Sequence, residues 1–191
     1  MFDFKAIIEL LQEIQALDRV PRTGYVTRGV TSAESISEHT FHVTFLVWIL
    51  SSGIPGLDRL KAVEMALVHD IAEVRFGDLP LTASHYLPQG AKNKAESRAG
   101  EDLLAPMPPE VHSAFSEYME GTSLEARFVK ACDKLQLMVK VSVYEKWRTG
   151  DLADFWDNPG NFVDGGFEQV RECFGALLQD HQSRSERSRP T

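Results

Sequence analysis

His69 and Asp70 stand side by side near the end of an otherwise apolar stretch, Leu60 to Val74, where burying either group without a partner costs several kcal/mol. Glu73 follows four residues after His69 and three after Asp70, so on a helix all three side chains gather at one point. A second imidazole, His39, opens another apolar segment, and Asp133 interrupts the longest apolar pattern in the chain. Two imidazoles and two carboxylates, His39, His69, Asp70 and Asp133, make a ligand set for one divalent metal ion. Neutral nitrogen with carboxylate oxygen suits Mn, Fe, Co, Ni or Zn, and four protein ligands leave octahedral positions open for water and a phosphate oxygen. Such an ion lowers the pKa of bound water and neutralises charge developing on phosphorus. Glu73, outside the ligand set, is then free to act as general base or acid.

Taken singly, these residues have ordinary readings. His39 at a helix start reads as a cap or surface residue, and His69-Asp70 as a buried hydrogen-bonded pair. Their joint occurrence, with Asp133 inside an apolar stripe, favours the metal. His42 reads as a satisfied core histidine and Cys132 as core packing, while Trp48, Trp147 and Trp156 read as core or interface.

For these groups to meet, the segments that carry them must be helices packed side by side. Ile7, Ile8, Leu10, Leu11, Ile14 and Leu17 recur at three- and four-residue intervals and predict a first helix of about five turns, ended by Pro21 and Gly24. Arg19 to Ser35 reads as an ordered loop holding Arg19, Arg22, Arg28 and Tyr25. Ser35-Ile-Ser-Glu38 has capping-box spacing, which places His39 in the first turn of a helix continuing to Leu50. Leu60 to Val74 predicts a third helix, closed by Gly77 and Pro80. Residues 81–92 are turn-rich, Lys92 to Leu104 is a charged helix ending before Pro106, and Val111 to Tyr118 is a shorter one. Leu124 to Trp147 is the longest helical pattern, and a last helix spans about Phe167 to Leu178. No segment combines β-branched enrichment, strict alternation and hairpin turns, so the expectation is all-α, one domain over residues 1–180 and a disordered tail over 181–191.

The bulk numbers narrow the function. A formal net charge of -8 disfavours a broad nucleic-acid surface, so a small anionic substrate needs a local cationic pocket. Cys132 and Cys173 show no metal or redox spacing and 43% hydrophobic residues support a core without disulfides, which fits a reduced cytoplasmic compartment. The N-terminal residues lack the basic-then-apolar order of a leader, and Val43 to Leu50 falls short of the roughly 20 residues that span a bilayer.

The order His39, His69-Asp70, Asp133 resembles the signature of the HD-domain superfamily of metal-dependent phosphohydrolases. Ser37-Glu38-His39, His69-Asp70-Ile-Ala-Glu73-Val and Gly77-Asp78-Leu-Pro80 are similar to the bacterial 5′-deoxynucleotidases and their archaeal and eukaryotic relatives. So are Arg19-Val-Pro-Arg22-Thr-Gly, Glu125-Ala-Arg-Phe-Val-Lys130 and Tyr144-Glu, and the likeness spans roughly Phe4 to Leu178. This resemblance implies a helical bundle, one divalent cation (Co, Mn, Zn, Ni, Fe or Mg) on His39, His69, Asp70 and Asp133, and a deoxynucleoside 5′-monophosphate as substrate. It implies catalytic roles for Glu73, in activating water, and for Asp78, which also contacts the substrate region. It makes Arg22 the first candidate for the phosphate contact and Arg19 the second. Tyr25 takes the position of a tryptophan that senses the sugar, and Gly24 stands where some members have the arginine. Family members commonly form homodimers.

Three other readings share the motif. A binuclear HD-domain oxygenase or phosphodiesterase would draw second-metal ligands from His85 and His112. A hydrolase of nucleotide di- or triphosphates would use the same centre. A non-catalytic nucleotide- or metal-binding regulatory module would have no need of Glu73.

Overall fold

The computed structural model describes residues 3–187 of the 191-residue chain. The described residues fold as ten α-helices and three short 3-10 turns, with no strand among them beyond an isolated bridge between Pro21 and Ser35. At the centre lies α8 (Leu124–Lys146), started by Ser123, whose hydroxyl accepts from the Ala126 amide. Its buried positions Phe128, Cys132, Leu135, Met138 and Val141 recur at three- and four-residue spacing. Each such side chain contributes roughly 1.5–3 kcal/mol by leaving water. Against α8 pack α3 (Ile36–Leu50), α4 (Arg59–Val68), α7 (Pro109–Glu120) and α10 (Glu168–Arg187).

The remaining helices are α1 (Phe4–Ile14), α2 (Thr23–Val26), α5 (Leu81–Ser84), α6 (Ala91–Leu104) and α9 (Ala153–Asp157). Asp3 caps α1 by accepting from the Lys5 and Ala6 amides, and a 3-10 turn over Gln15–Arg19 replaces the end of the long first helix expected from the apolar spacing. A second apolar cluster, Ala72, Leu104 and Phe115, seats the turn carrying Glu73 against α6 and α7. It depends on Gly100, where any Cβ would overlap the Phe115 ring.

Two expectations are corrected. The segment from Leu60 to Val74 is not one helix: α4 ends at Val68 and a 3-10 turn runs over Ile71–Val74, because the His69 side chain bonds back to Ala66 O at 2.8 Å and Asp70 leaves helical geometry. The helix α10 continues to Arg187 where composition predicts a tail from position 181; residues 188–191 lie outside the described residues. Polar pairing replaces apolar burial there. His181 stacks on Trp156 with centroids 3.9 Å apart, and Arg184 donates to Ser142 and Glu145 on α8.

Candidate metal centre and active site

His39 reaches its place through the capping box at the start of α3, where Ser35 Oγ accepts from the Glu38 amide and Glu38 Oε2 accepts from the Ser35 amide. Its ring is fully buried, and Nδ1 lies 2.7 Å from Gln136 Oε1. Gln136 spends its amide nitrogen on the Glu34 carboxylate, which can only accept, so the amide oxygen must face the imidazole. His39 therefore carries its proton on Nδ1 toward Gln136. His69 is set the same way by the Ala66 carbonyl. Both rings turn Nε2 toward one point.

At that point the two Nε2 atoms are 3.3 Å apart, and Asp70 Oδ2 lies 3.5 Å from His39 Nε2 and 3.3 Å from His69 Nε2. One ligand atom from each of His39, His69 and Asp70 lies within 4.8 Å of the others. Asp133 joins through Oδ1, 3.1 Å from His39 Nε2, though it stands outside that trio's common radius. The donor set, two imidazole Nε2 atoms with the Asp70 and Asp133 carboxylates beside them, fits a divalent metal, which would displace the Nε2 proton of His39. His85 and His112 are not in the group; His85 lines the pocket, while His112 contacts Ser116.

Charge around the cluster is tightly coupled. Burial opposes ionisation of Asp70, yet His69 and Arg22 hold its carboxyl far below the usual carboxylate range. Burial likewise opposes Asp133, and the contact with His39 overrides it. Burial and Arg22 disfavour charging His39, but Asp133 and Glu34 lift it to about 9. Glu73 goes the other way: only 3% exposed, it is pushed up to about 10 by burial and by the charges of Asp70 and Asp78. Its Oε2 has no hydrogen-bond partner among the described residues. Gly77, at φ +78°, makes the tight turn after Glu73 by donating to its carbonyl at 2.8 Å and sends the chain to Asp78.

A pocket of about 440 Å³ opens over these groups, within the usual range of small-molecule sites. Arg22 points into it, with Nη1 at 3.3 Å from Asp70 and 3.8 Å from Asp78, and Nη2 at 4.0 Å from Asp133. Burial opposes its charge, but these carboxylates keep it charged. Asp78 has a second employment: Oδ2 accepts from the Thr23 amide at 2.6 Å, which fastens α2 and hence Arg22 to the floor of the pocket.

Tyr25 lines the pocket with a buried ring, but its hydroxyl is committed to Leu137 O at 3.0 Å and its ring stacks on Phe155. Arg19 is exposed at the end of the 3-10 turn and does not line the pocket. The loop's other pocket cation is Arg28, which grips Asp154 with Nε and Nη2. Lys92 and Lys134 add positive charge to the wall.

Arg28 belongs to the arginine loop legible in the sequence, whereas Glu34 and Gln136 are site neighbours that the sequence analysis does not single out. Gln136 offered a signal: it lies one turn after Asp133, a second polar group on the same apolar stripe. Glu34 offered none, since the amide that defines its role comes from Gln136, 102 residues away. His42 is also not the core residue expected; it is about half exposed, edge-on to Phe41. Trp48 and Trp147 are exposed, and Trp156 donates to Glu145.

Comparison with known proteins identifies the family. The family model described as HD domain matches residues 14–170. The human 5′-deoxynucleotidase HDDC2 is 31% identical over 160 residues, covering 81% of this chain and 76% of that protein. The Saccharomyces cerevisiae 5′-deoxynucleotidase YGK1 is 30% identical over 186 residues, covering 92% and 83%. A conserved hypothetical protein from Pyrococcus furiosus superposes with a TM-score of 0.74 at 30% identity, covering 90% of this chain and 99% of that one. The chain belongs to the HD domain family.

Proposed function

We propose that this protein is a metal-dependent phosphomonoester hydrolase that converts deoxynucleoside 5′-monophosphates to deoxynucleosides and phosphate. The observation that carries the reading is the convergence of His39 Nε2, His69 Nε2 and Asp70 Oδ2 beneath a pocket that also holds Glu73 and Arg22. The relatives named 5′-deoxynucleotidases support the substrate class. His39, His69, Asp70 and Asp133 would hold one divalent ion, which would supply charge neutralisation and an acidified water. Arg22 is placed to take a phosphate oxygen, with Arg28, Lys92 and Lys134 completing the cationic wall. Glu73 moves the proton. Its neighbours Asp70 and Asp78 keep that proton on, and positive charge at the ligands favours the carboxylate that accepts a proton from attacking water. Asp78 positions Arg22 through α2, and Tyr25 shapes the wall where a sugar would lie.

The chain acts as a homodimer in this reading. Phe41, Phe45 and Trp48 form an exposed aromatic ladder on α3, with Phe41 65% and Trp48 58% exposed, the kind of patch that marks an interface. No helix among the described residues is long and apolar enough to cross a membrane, and two free cysteines are in keeping with a reducing cytoplasm. A panel of ribo- and deoxynucleoside 5′-mono-, di- and triphosphates, each assayed with Co, Mn, Zn, Ni, Fe and Mg, tests the substrate. Deoxynucleoside monophosphates should be hydrolysed fastest. Preference for triphosphates, or for ribonucleotides, would overturn the assignment.

A further inference from the structure

Behind His39 lies a chain of buried polar groups that the hydrolytic chemistry itself does not use. The Glu34 side chain has no solvent exposure, and its two oxygens accept from Gln136 Nε2 at 3.2 and 3.1 Å. Lys140 Nζ stands 3.2 Å from Glu34 Oε2, and the Glu34 amide donates to Tyr144 Oη at 2.7 Å. His42 Nδ1 at 3.6 Å and His39 Nδ1 at 3.8 Å complete the groups facing this carboxylate. Burying a carboxylate and a lysine together is weakly stabilising at best, because desolvation offsets their attraction. The arrangement does have a directional consequence.

An amide side chain can present either its oxygen or its nitrogen. Turned over, Gln136 would put its NH₂ against His39 and its oxygen against the Glu34 carboxylate, two acceptors facing each other. It would also force His39 to accept at Nδ1 and carry its proton on Nε2, the nitrogen that faces Asp70, Asp133 and His69. Glu34 forbids that orientation because it has no proton to give. We propose that Gln136, held by a Glu34 carboxylate that is itself paired with Lys140, is a positioning residue that locks His39 in the Nδ1–H tautomer and so presents Nε2 to the metal. The inference rests on the metal-site reading above. It assigns a role to three residues beyond the ligands, with an amide standing where a carboxylate could have met the imidazole directly.

Two variants separate this from ordinary packing. Gln136→Met keeps the volume and removes the acceptor. The double variant Glu34→Gln/Gln136→Glu exchanges the two side chains, conserving charge and the chain of hydrogen bonds while placing a carboxylate on His39. The measurement is Mn²⁺ affinity by calorimetry on the full chain after chelator treatment, with circular dichroism melting to check folding. Gln136→Met should bind Mn²⁺ about ten- to hundredfold more weakly, and the exchanged pair should bind at least as tightly as the wild type. Wild-type affinity in Gln136→Met would overturn the inference while leaving the metal site standing; a wild-type protein that binds no Mn²⁺ would overturn both. Should Gln136→Met fail to fold, long-range ¹H–¹⁵N spectra of Zn²⁺-loaded wild type decide the matter. A proton on His39 Nδ1 supports the inference, and coordination through Nδ1 refutes it.

Discussion

Replacing Glu73 by glutamine should make the metal-stripped protein more stable and the metal-loaded protein nearly inactive. The carboxyl is buried, one oxygen lacks a partner, and burial with Asp70 and Asp78 pushes it up to about 10 from an ordinary 4.5. Between those values the folded chain keeps the proton and the unfolded chain loses it, so fewer protons are bound in the unfolded state and stability falls as pH rises. Each pH unit is worth about 1.4 kcal/mol, which sets a ceiling of about 3 kcal/mol at pH 7. Relaxation of neighbouring charges brings the expected gain on removing the titrating group to about 1–3 kcal/mol. Guanidinium unfolding of chelator-treated wild type and Glu73→Gln should give nearly equal stabilities at pH 5 and a widening advantage for the variant toward pH 8. Phosphate release by the metal-loaded variant should fall about 10²–10⁴-fold with the metal retained. A pH-independent destabilisation would refute the reasoning, since it would mean that Glu73 is ionised and paired in the native protein.

Gly100→Ala forces a methyl group into the Phe115 ring and should cost about 1–3 kcal/mol, read from thermal or denaturant melts; a neutral result would mean that α6 and α7 can separate freely. Tyr25→Phe removes the bond to Leu137 O and should cost about 0.5–1.5 kcal/mol by the same measurement. Arg22→Ala should raise KM for a phosphate substrate about ten- to hundredfold, the worth of a charge-assisted hydrogen bond, in steady-state assays. An unchanged KM would transfer the phosphate contact to Arg28 or Lys134.

What could be read from the sequence was local. The capping box at Ser35–Glu38 and the apolar stripe of α8 follow from spacing along one helix, and both are in the structure. The histidine and aspartate set stood out because charged groups on apolar faces demand partners. The break at His69 was not legible, because it depends on a side chain bonding the carbonyl three residues back. Neither was the helical course of 181–187, which Trp156 and Glu145 hold from other segments. Choosing between Arg19 and Arg28 needed the fold, since both are loop arginines and only the second faces the pocket. Gln136 and Glu34 sit 102 residues apart, and no local pattern announces that one orients the other.

In the proposed reaction, turnover requires one divalent ion on the His39, His69, Asp70 and Asp133 cluster. Phosphate release from a deoxynucleoside 5′-monophosphate should be followed in chelator-treated protein as Mn²⁺ or Co²⁺ is added, beside Asp70→Ala and Asp133→Ala. Activity should be absent without metal, rise to a plateau at one equivalent per chain in the wild type, and fail to appear in either variant. Turnover without metal, or full activity in Asp70→Ala, would contradict the account.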